Sequence, residues 1–215
     1  MSPEVWSEFE FRHKHGDGKQ DPWRLTHIYY GVREALLGTD AGSVLEVGCN
    51  IGQTSVFLTK CIREVGTAAR LHIYDSFAGL PEWTPEDECS SSHFVAPGTL
   101  PCTVADVRET FAQRGESVLP EIHKGWFCDT LQELPSFIRF ALLDGDLYKS
   151  IRDSIERIWP ALQPGGVIIV DDYNFDAIPG CKRALDEYFA DKDTKPEELW
   201  PSVSAVIRKP LYPHY

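Results

Sequence analysis

The stretch "SVLEVGCNIGQTSVFLTKCIREV" (residues 43–65) runs from an apolar segment through a turn with two glycines into an amphipathic repeat. "SVLEV" (43–47) has the little-interrupted apolar character of a short strand covered on both faces, whereas "QTSVFLTKCIREV" (53–65) carries its apolar residues at helical spacing. Gly48 and Gly52 stand at the junction. There the chain must turn tightly, and a ligand can lie against the N–H groups that open a helix. Gly48-x-Asn50-x-Gly52 is not the dinucleotide fingerprint, because the closing glycine is missing where Ser55 or Val56 stands. That departure argues against a nicotinamide cofactor.

The same alternation continues along the chain. "LHIYD" (71–75), "FIRFALLD" (137–144) and "GGVIIVD" (165–171) read as strands; 104–115 and 148–162 read as helices, the second with Ile151, Ile155 and Ile158 on one face. Strand followed by helix followed by strand means parallel connections, and therefore a doubly wound α/β fold. "EIHKGWF" (121–127) fits a further strand running into a loop, and "SVSAVIRK" (202–209) a closing strand after a helix at 180–190. Residues 22–38 form an amphipathic helix that opens after Asp21-Pro22 and stops at Gly38. Residues 79–103, rich in Pro, Ser and acids, are long for a connection inside a compact domain and are expected to be a mobile lid.

Composition narrows the function. With 215 residues and 42% hydrophobic content, one domain over 1–215 is expected, with 1–40 as an N-terminal helical segment. The net charge of -12 repels phosphate backbones and anionic lipid, so neither nucleic acid nor a membrane is an expected partner. No basic-then-apolar leader opens the chain and no apolar stretch reaches spanning length, which leads to an expected cytoplasmic location. Six cysteines occur without a CxxC pair, a pattern of reduced thiols rather than a zinc site or a disulfide frame.

Acids mark the ends of the apolar runs. Asp75 closes the second strand and is placed to accept hydrogen bonds from ribose hydroxyls, although a helix cap or loop acid would look the same. Together with the glycine turn it points to an adenosine-containing ligand. "LLDGDLYKS" (142–150) ends its run with Asp144 and Asp146, and "GGVIIVDDYN" (165–174) with Asp171 and Asp172. In a doubly wound sheet these ends are neighbours on one edge. Carboxylates crowded there raise one another's pKa unless a cation neutralises them, and all-oxygen ligands suit Mg²⁺ or a similar hard divalent ion. Asp146 could instead cap the helix that follows, whereas adjacent Asp171 and Asp172 exceed what one turn needs for capping.

Read in order, "LEVGCNIGQTS", "YDSFAGLPE", "GWFCDTL", "LLDGDLYKS", "PGGVIIVDDY" and "PGCKRALDEYF" make the chain resemble the macrocin O-methyltransferase family, whose members depend on S-adenosylmethionine and a metal. The resemblance runs from about residue 45 to 189. It implies a class I methyltransferase (Rossmann-like) fold: a mostly parallel seven-stranded sheet, helices on both faces and an antiparallel C-terminal strand. It also implies methyl transfer to a hydroxyl of a sugar or sugar-containing small molecule in natural-product biosynthesis. Asp144, Asp171 and Asp172 match the family's metal-ligand acids and Asp146 an acid proposed as general base, with His27 or His93 as alternatives for that role. Glu46, Gly48, Asn50, Gly52 and Thr54 match the loop holding the methionine part of the cofactor. Asp75, with Ser76 beside it, matches the ribose site, and Gly125-Trp126 the turn lining the adenine. The family's usual paired glycines are here Gly52-Gln53. The apolar face of the N-terminal helix leads to an expected homo-oligomer, a dimer. Two other readings share these features: a catechol-type O-methyltransferase, and a non-catalytic S-adenosylmethionine-binding module.

Overall fold

Seven strands lie side by side in the order β3-β2-β1-β4-β5-β7-β6 in the computed structural model, which describes residues 1–15, 22–89 and 96–211. The strands are β1 (Ser43–Val47), β2 (Arg70–Asp75), β3 (Glu121–Lys124), β4 (Ile138–Leu143), β5 (Leu162–Val170), β6 (Glu197–Glu198) and β7 (Ala205–Arg208). The helices are α1 (Pro3–His15), α2 (Pro22–Leu36), α3 (Gln53–Val65), α4 (Val104–Gln113), α5 (Phe127–Thr130), α6 (Tyr148–Ala161) and α7 (Gly180–Tyr188). β3 to β5 pair in parallel, whereas β7 is antiparallel to both β5 and β6. Among the described residues no helix is long and apolar enough to cross a membrane.

Alternation of side chains sends each central strand into two cores. Val44, Phe140, Leu142, Val167 and Ile169 pack with α2 and α3 on one face, while Leu45, Ala141, Leu143, Ile168 and Val170 pack with α6 and α7 on the other. The apolar face of α2, expected to meet another subunit, covers the chain's own sheet: Leu25, Ile28, Val32, Ala35 and Leu36 are all buried. The approach is close. A Cβ on Gly31 would stand 2.7 Å from Cδ1 of Ile169, so glycine lets α2 settle on β5.

The strand ends are in register, and this places the site. Val47 pairs with Tyr74 on one side and with Leu143 on the other, and Leu143 pairs in turn with Val170. The next residue of each strand continues the ladder: the Gly48 N–H donates to the Tyr74 carbonyl, Asp144 to Val47, and Asp171 to Leu143, each at 2.8 Å. Gly48, Asp144 and Asp171 therefore emerge at one level.

Two details depart from the sequence reading. β3 ends at Lys124, and the residues beyond its turn form the short helix α5 rather than more strand. β6 is an additional two-residue edge strand. The described parts of 79–103 make specific hydrogen bonds. Gly98 donates to the Leu80 carbonyl and Leu80 to that of Thr99. Within a 3-10 turn, Asp87 is buried: its Oδ2 accepts from the N–H and hydroxyl of Thr84, and its Oδ1 accepts from the Tyr148 N–H at 2.7 Å. Asp87 thus caps α6 from a distance, since Leu147 at the cap position offers no side-chain acceptor. Asp87→Ala is expected to cost roughly 1–2 kcal/mol through an uncapped, partly buried N–H. Calorimetry should show a lower Tm; an unchanged Tm would mean that Tyr148 finds another acceptor.

Candidate active site

A cavity of about 500 Å³ opens outside the carboxyl ends of the strands. Gly48, Asn50, Thr54, Asp75, Ser76, Trp126, Asp144 and Asp146 all line it. Gly48 decides its shape. Its φ is +93°, and a Cβ at this position would fall only 1.9 Å from the Asp144 carbonyl oxygen, so no other residue lets the two loops approach so closely.

Asp75 organises the loop after β1. Its Oδ2 accepts from the N–H groups of Cys49 and Asn50 at 3.0 Å each, and its Oδ1 from Phe77 at 2.8 Å. Ser76 Oγ donates to the Gly79 carbonyl and accepts from the Ala78 N–H. Glu46, Gly52 and Gly125 do not line the cavity. Gly52 opens α3 at φ +81°, and Gly125 at φ +148° donates its N–H to the Asp75 carbonyl. Glu46 is fully buried and accepts from the Ser55 hydroxyl, while its Oε1 has no hydrogen-bond partner among the described residues. Burial pushes its carboxyl up to about 8.

The acids converge. Carboxylate oxygens of Asp144, Asp171 and Asp172 lie within 4.8 Å of one another. Arg24 of α2, which the sequence reading did not single out, joins two of them: its Nη2 is 2.5 Å from Asp144 Oδ2 and its Nε 2.5 Å from Asp171 Oδ2. Ser204 Oγ donates to the remaining Asp171 oxygen at 3.1 Å. Burial works against the Arg24 charge, yet Asp171 and Asp144 outweigh it and hold its pKa above the ordinary value.

One guanidinium does not neutralise the group. Burial, followed by the charges of Asp171, Asp146 and Asp144, pushes Asp172 up to about 10. Burial raises Asp144 as well, against the opposing pull of Arg24. Asp146 rises to about 6, through burial and the charge of Asp171 and in spite of a hydrogen bond with Asp172. Asp146 and Asp172 also adopt positive φ, +57° and +53°, a conformation that costs a non-glycine residue about 1 kcal/mol or more. Three mutually close, oxygen-only donors carrying uncompensated charge fit a hard divalent cation such as Mg²⁺.

Asp146 is not the cap of α6, because Asp87 accepts from that helix's first N–H. His27 lies outside the cavity lining, its Nδ1 3.0 Å from Ser202 Oγ. His93 falls outside the described residues. Arg24 did leave a trace in the sequence. It shares a helical face with Ile28, Gly31 and Ala35, a charge set within an apolar stripe.

The open sheet with its reversed terminal strand, and a cleft at the strand ends, define the Rossmann-like architecture of class I methyltransferases. Residues 20–200 match the Macrocin-O-methyltransferase (TylF) family, and the chain belongs to it. It is 35% identical over 176 residues to the 8-demethyl-8-(2,3-dimethoxy-alpha-L-rhamnosyl)-tetracenomycin-C 4'-O-methyltransferase of Streptomyces olivaceus, a match covering 77% of this chain and 64% of that protein. The chain thus spans a little under two thirds of that relative's length. Among solved structures it is similar to the O-methyltransferase NovP, with a TM-score of 0.74 and 27% identity over 88% of this chain and 80% of the other. An O-methyltransferase from Bacillus cereus in complex with SAH shares the fold, with a TM-score of 0.61 and 14% identity over 97% of this chain and 92% of the other.

Proposed function

We propose that this chain is an S-adenosylmethionine- and Mg²⁺-dependent O-methyltransferase acting on a hydroxyl of a sugar or sugar-containing small molecule in natural-product biosynthesis. The observation that carries the reading is the juxtaposition of Asp144, Asp146, Asp171 and Asp172 with the glycine turn at Gly48. Binding the cofactor alone needs no carboxylate cluster, so the non-catalytic alternative leaves the acids without a purpose. The rhamnosyl acceptor in the name of the Streptomyces relative supports the sugar class, and the SAH complex of the Bacillus neighbour supports the cofactor.

When bound, S-adenosylmethionine supplies an activated sulfonium methyl, and a divalent cation supplies Lewis acidity that lowers the pKa of the acceptor hydroxyl. Asp144, Asp171 and Asp172 would hold the cation. Asn50, Thr54 and the turn at Gly48 and Gly52 would hold the methionine part, with the unpartnered Oε1 of Glu46 behind them as an acceptor for its ammonium group. Asp75 still has lone-pair capacity for ribose hydroxyls after its three N–H bonds. Trp126, on the cavity wall after Gly125, would cover the adenine. Asp146 would take the proton of the acceptor hydroxyl. In the cation-free site burial and the Asp171 charge raise its pKa to about 6. Holding acceptor and methyl donor together in one cavity would supply much of the rate.

The same reading takes the protein to be cytoplasmic and to form a homo-oligomer, a dimer. Exposed Trp6, Tyr30 and Leu37 on and after the N-terminal helices give such an interface apolar material. The test is release of S-adenosylhomocysteine with a panel of deoxysugar glycosides and catechols, in Mg²⁺ and in excess chelator. Turnover of a glycoside that chelator abolishes is expected. Turnover of catechols alone would move the chain to the catechol class, and chelator-resistant turnover would remove the cation.

A further inference from the structure

A different set of ligand-forming side chains stands on strands β2 and β3, at the edge of the sheet. His72 on β2 pairs in register with Glu121 on β3, and Tyr74 pairs with His123, so all four side chains stand on one face of the two strands. His72 Nδ1 is 3.2 Å from His123 Nε2 and 3.6 Å from Glu121 Oε2. Ligand atoms about 2.0–2.2 Å from a tetrahedral ion stand roughly 3.3–3.6 Å from each other, so both gaps are close to those of ligands around a single ion. The supports are rigid on one side and open on the other. His72 is buried, the His123 ring stacks on Tyr74 with centroids 4.2 Å apart, and Glu121 faces solvent beside Arg70.

We propose that His72, Glu121 and His123 form a second metal site, one that takes Zn²⁺ or a similar first-row divalent ion and leaves a coordination position open to water. Two imidazoles and one carboxylate select this class of ion, whereas the oxygen-only cluster of the cleft selects Mg²⁺. The site would bind edge strand β3 to β2 immediately before Gly125, whose N–H reaches the Asp75 carbonyl. It would steady the cavity wall that carries Trp126 and take no part in methyl transfer. The inference does not depend on the proposed activity.

An N–H···N hydrogen bond between the histidines also accounts for their spacing, and metal titration separates the two explanations. In excess Mg²⁺, which occupies oxygen ligands, the purified protein is titrated with Zn²⁺ by calorimetry and with Co²⁺ by visible absorption. One equivalent of Zn²⁺ and the intense bands of low-coordinate Co²⁺ are expected. Glu121→Gln, a change at an exposed side chain that leaves folding intact, and His123→Asn should each weaken Zn²⁺ binding by at least about tenfold. Asp172→Asn should leave it unchanged. Absence of stoichiometric Zn²⁺ binding, or wild-type affinity in either Glu121→Gln or His123→Asn, would overturn the site.

Discussion

Arg24→Met is expected to destabilise the protein by about 3–5 kcal/mol in the absence of divalent ions, the cost of leaving buried carboxylates without their cation. Methionine keeps the length of the stem and removes only the guanidinium. Asp144 and Asp171 then lose their partner at 2.5 Å each, in a group whose acids are already pushed toward protonation. Arg12, buried nearby with its pKa lowered to about 9 by burial and by the charge of Arg24, gives partial compensation only. Added Mg²⁺ should restore much of the loss, by about 2.7 kcal/mol at a hundred times its Kd. Urea unfolding with and without Mg²⁺ measures both effects. A variant as stable as the wild type in chelator would show that Arg24 is not the counter-ion of the cluster.

Asp171→Asn is expected to lower methyl transfer by about a thousandfold while leaving cofactor affinity within a few-fold. The shape of the side chain is kept, while an anionic ligand of the proposed cation is replaced by a neutral amide. Lewis-acid stabilisation is worth several kcal/mol, and each 1.36 kcal/mol is a factor of ten in rate. Asp171 does not line the cavity, so the cofactor keeps its contacts. The two readouts are S-adenosylhomocysteine formation and calorimetric binding of S-adenosylmethionine. Undiminished turnover in the variant would remove Asp171 from the cation site.

The central strands were legible because burial on both faces leaves an apolar run with an acid or glycine at its end. Parallel pairing with the carboxyl ends in register then brings Gly48, Asp144 and Asp171 to one level. Elements with little burial left no such mark. Glu197 and Glu198 of β6 are both exposed, and α5 is a single turn. β3 lies at the sheet edge, so "EIHK" alternates too weakly to fix where the strand stops. Arg24 could be seen as a charge in an apolar stripe, but its partner lies 147 residues away, a pairing that only the packing of α2 on the sheet creates. Asp87 had a local signature, the Thr84-x-x-Asp87 box of a helix start. Its second bond, to Tyr148 at a separation of 61 residues, had none.

That bond bears on any exchange of segment 79–103, the expected lid. Asp87 within it caps α6 and sits where a Cβ on Gly180 would come within 1.8 Å of its Oδ1. A graft lacking the aspartate uncaps the helix that follows Asp144 and Asp146, and a recipient with a side chain at 180 has no room for it. Asp87 and Gly180 therefore form one unit of exchange, moved as a pair or not at all.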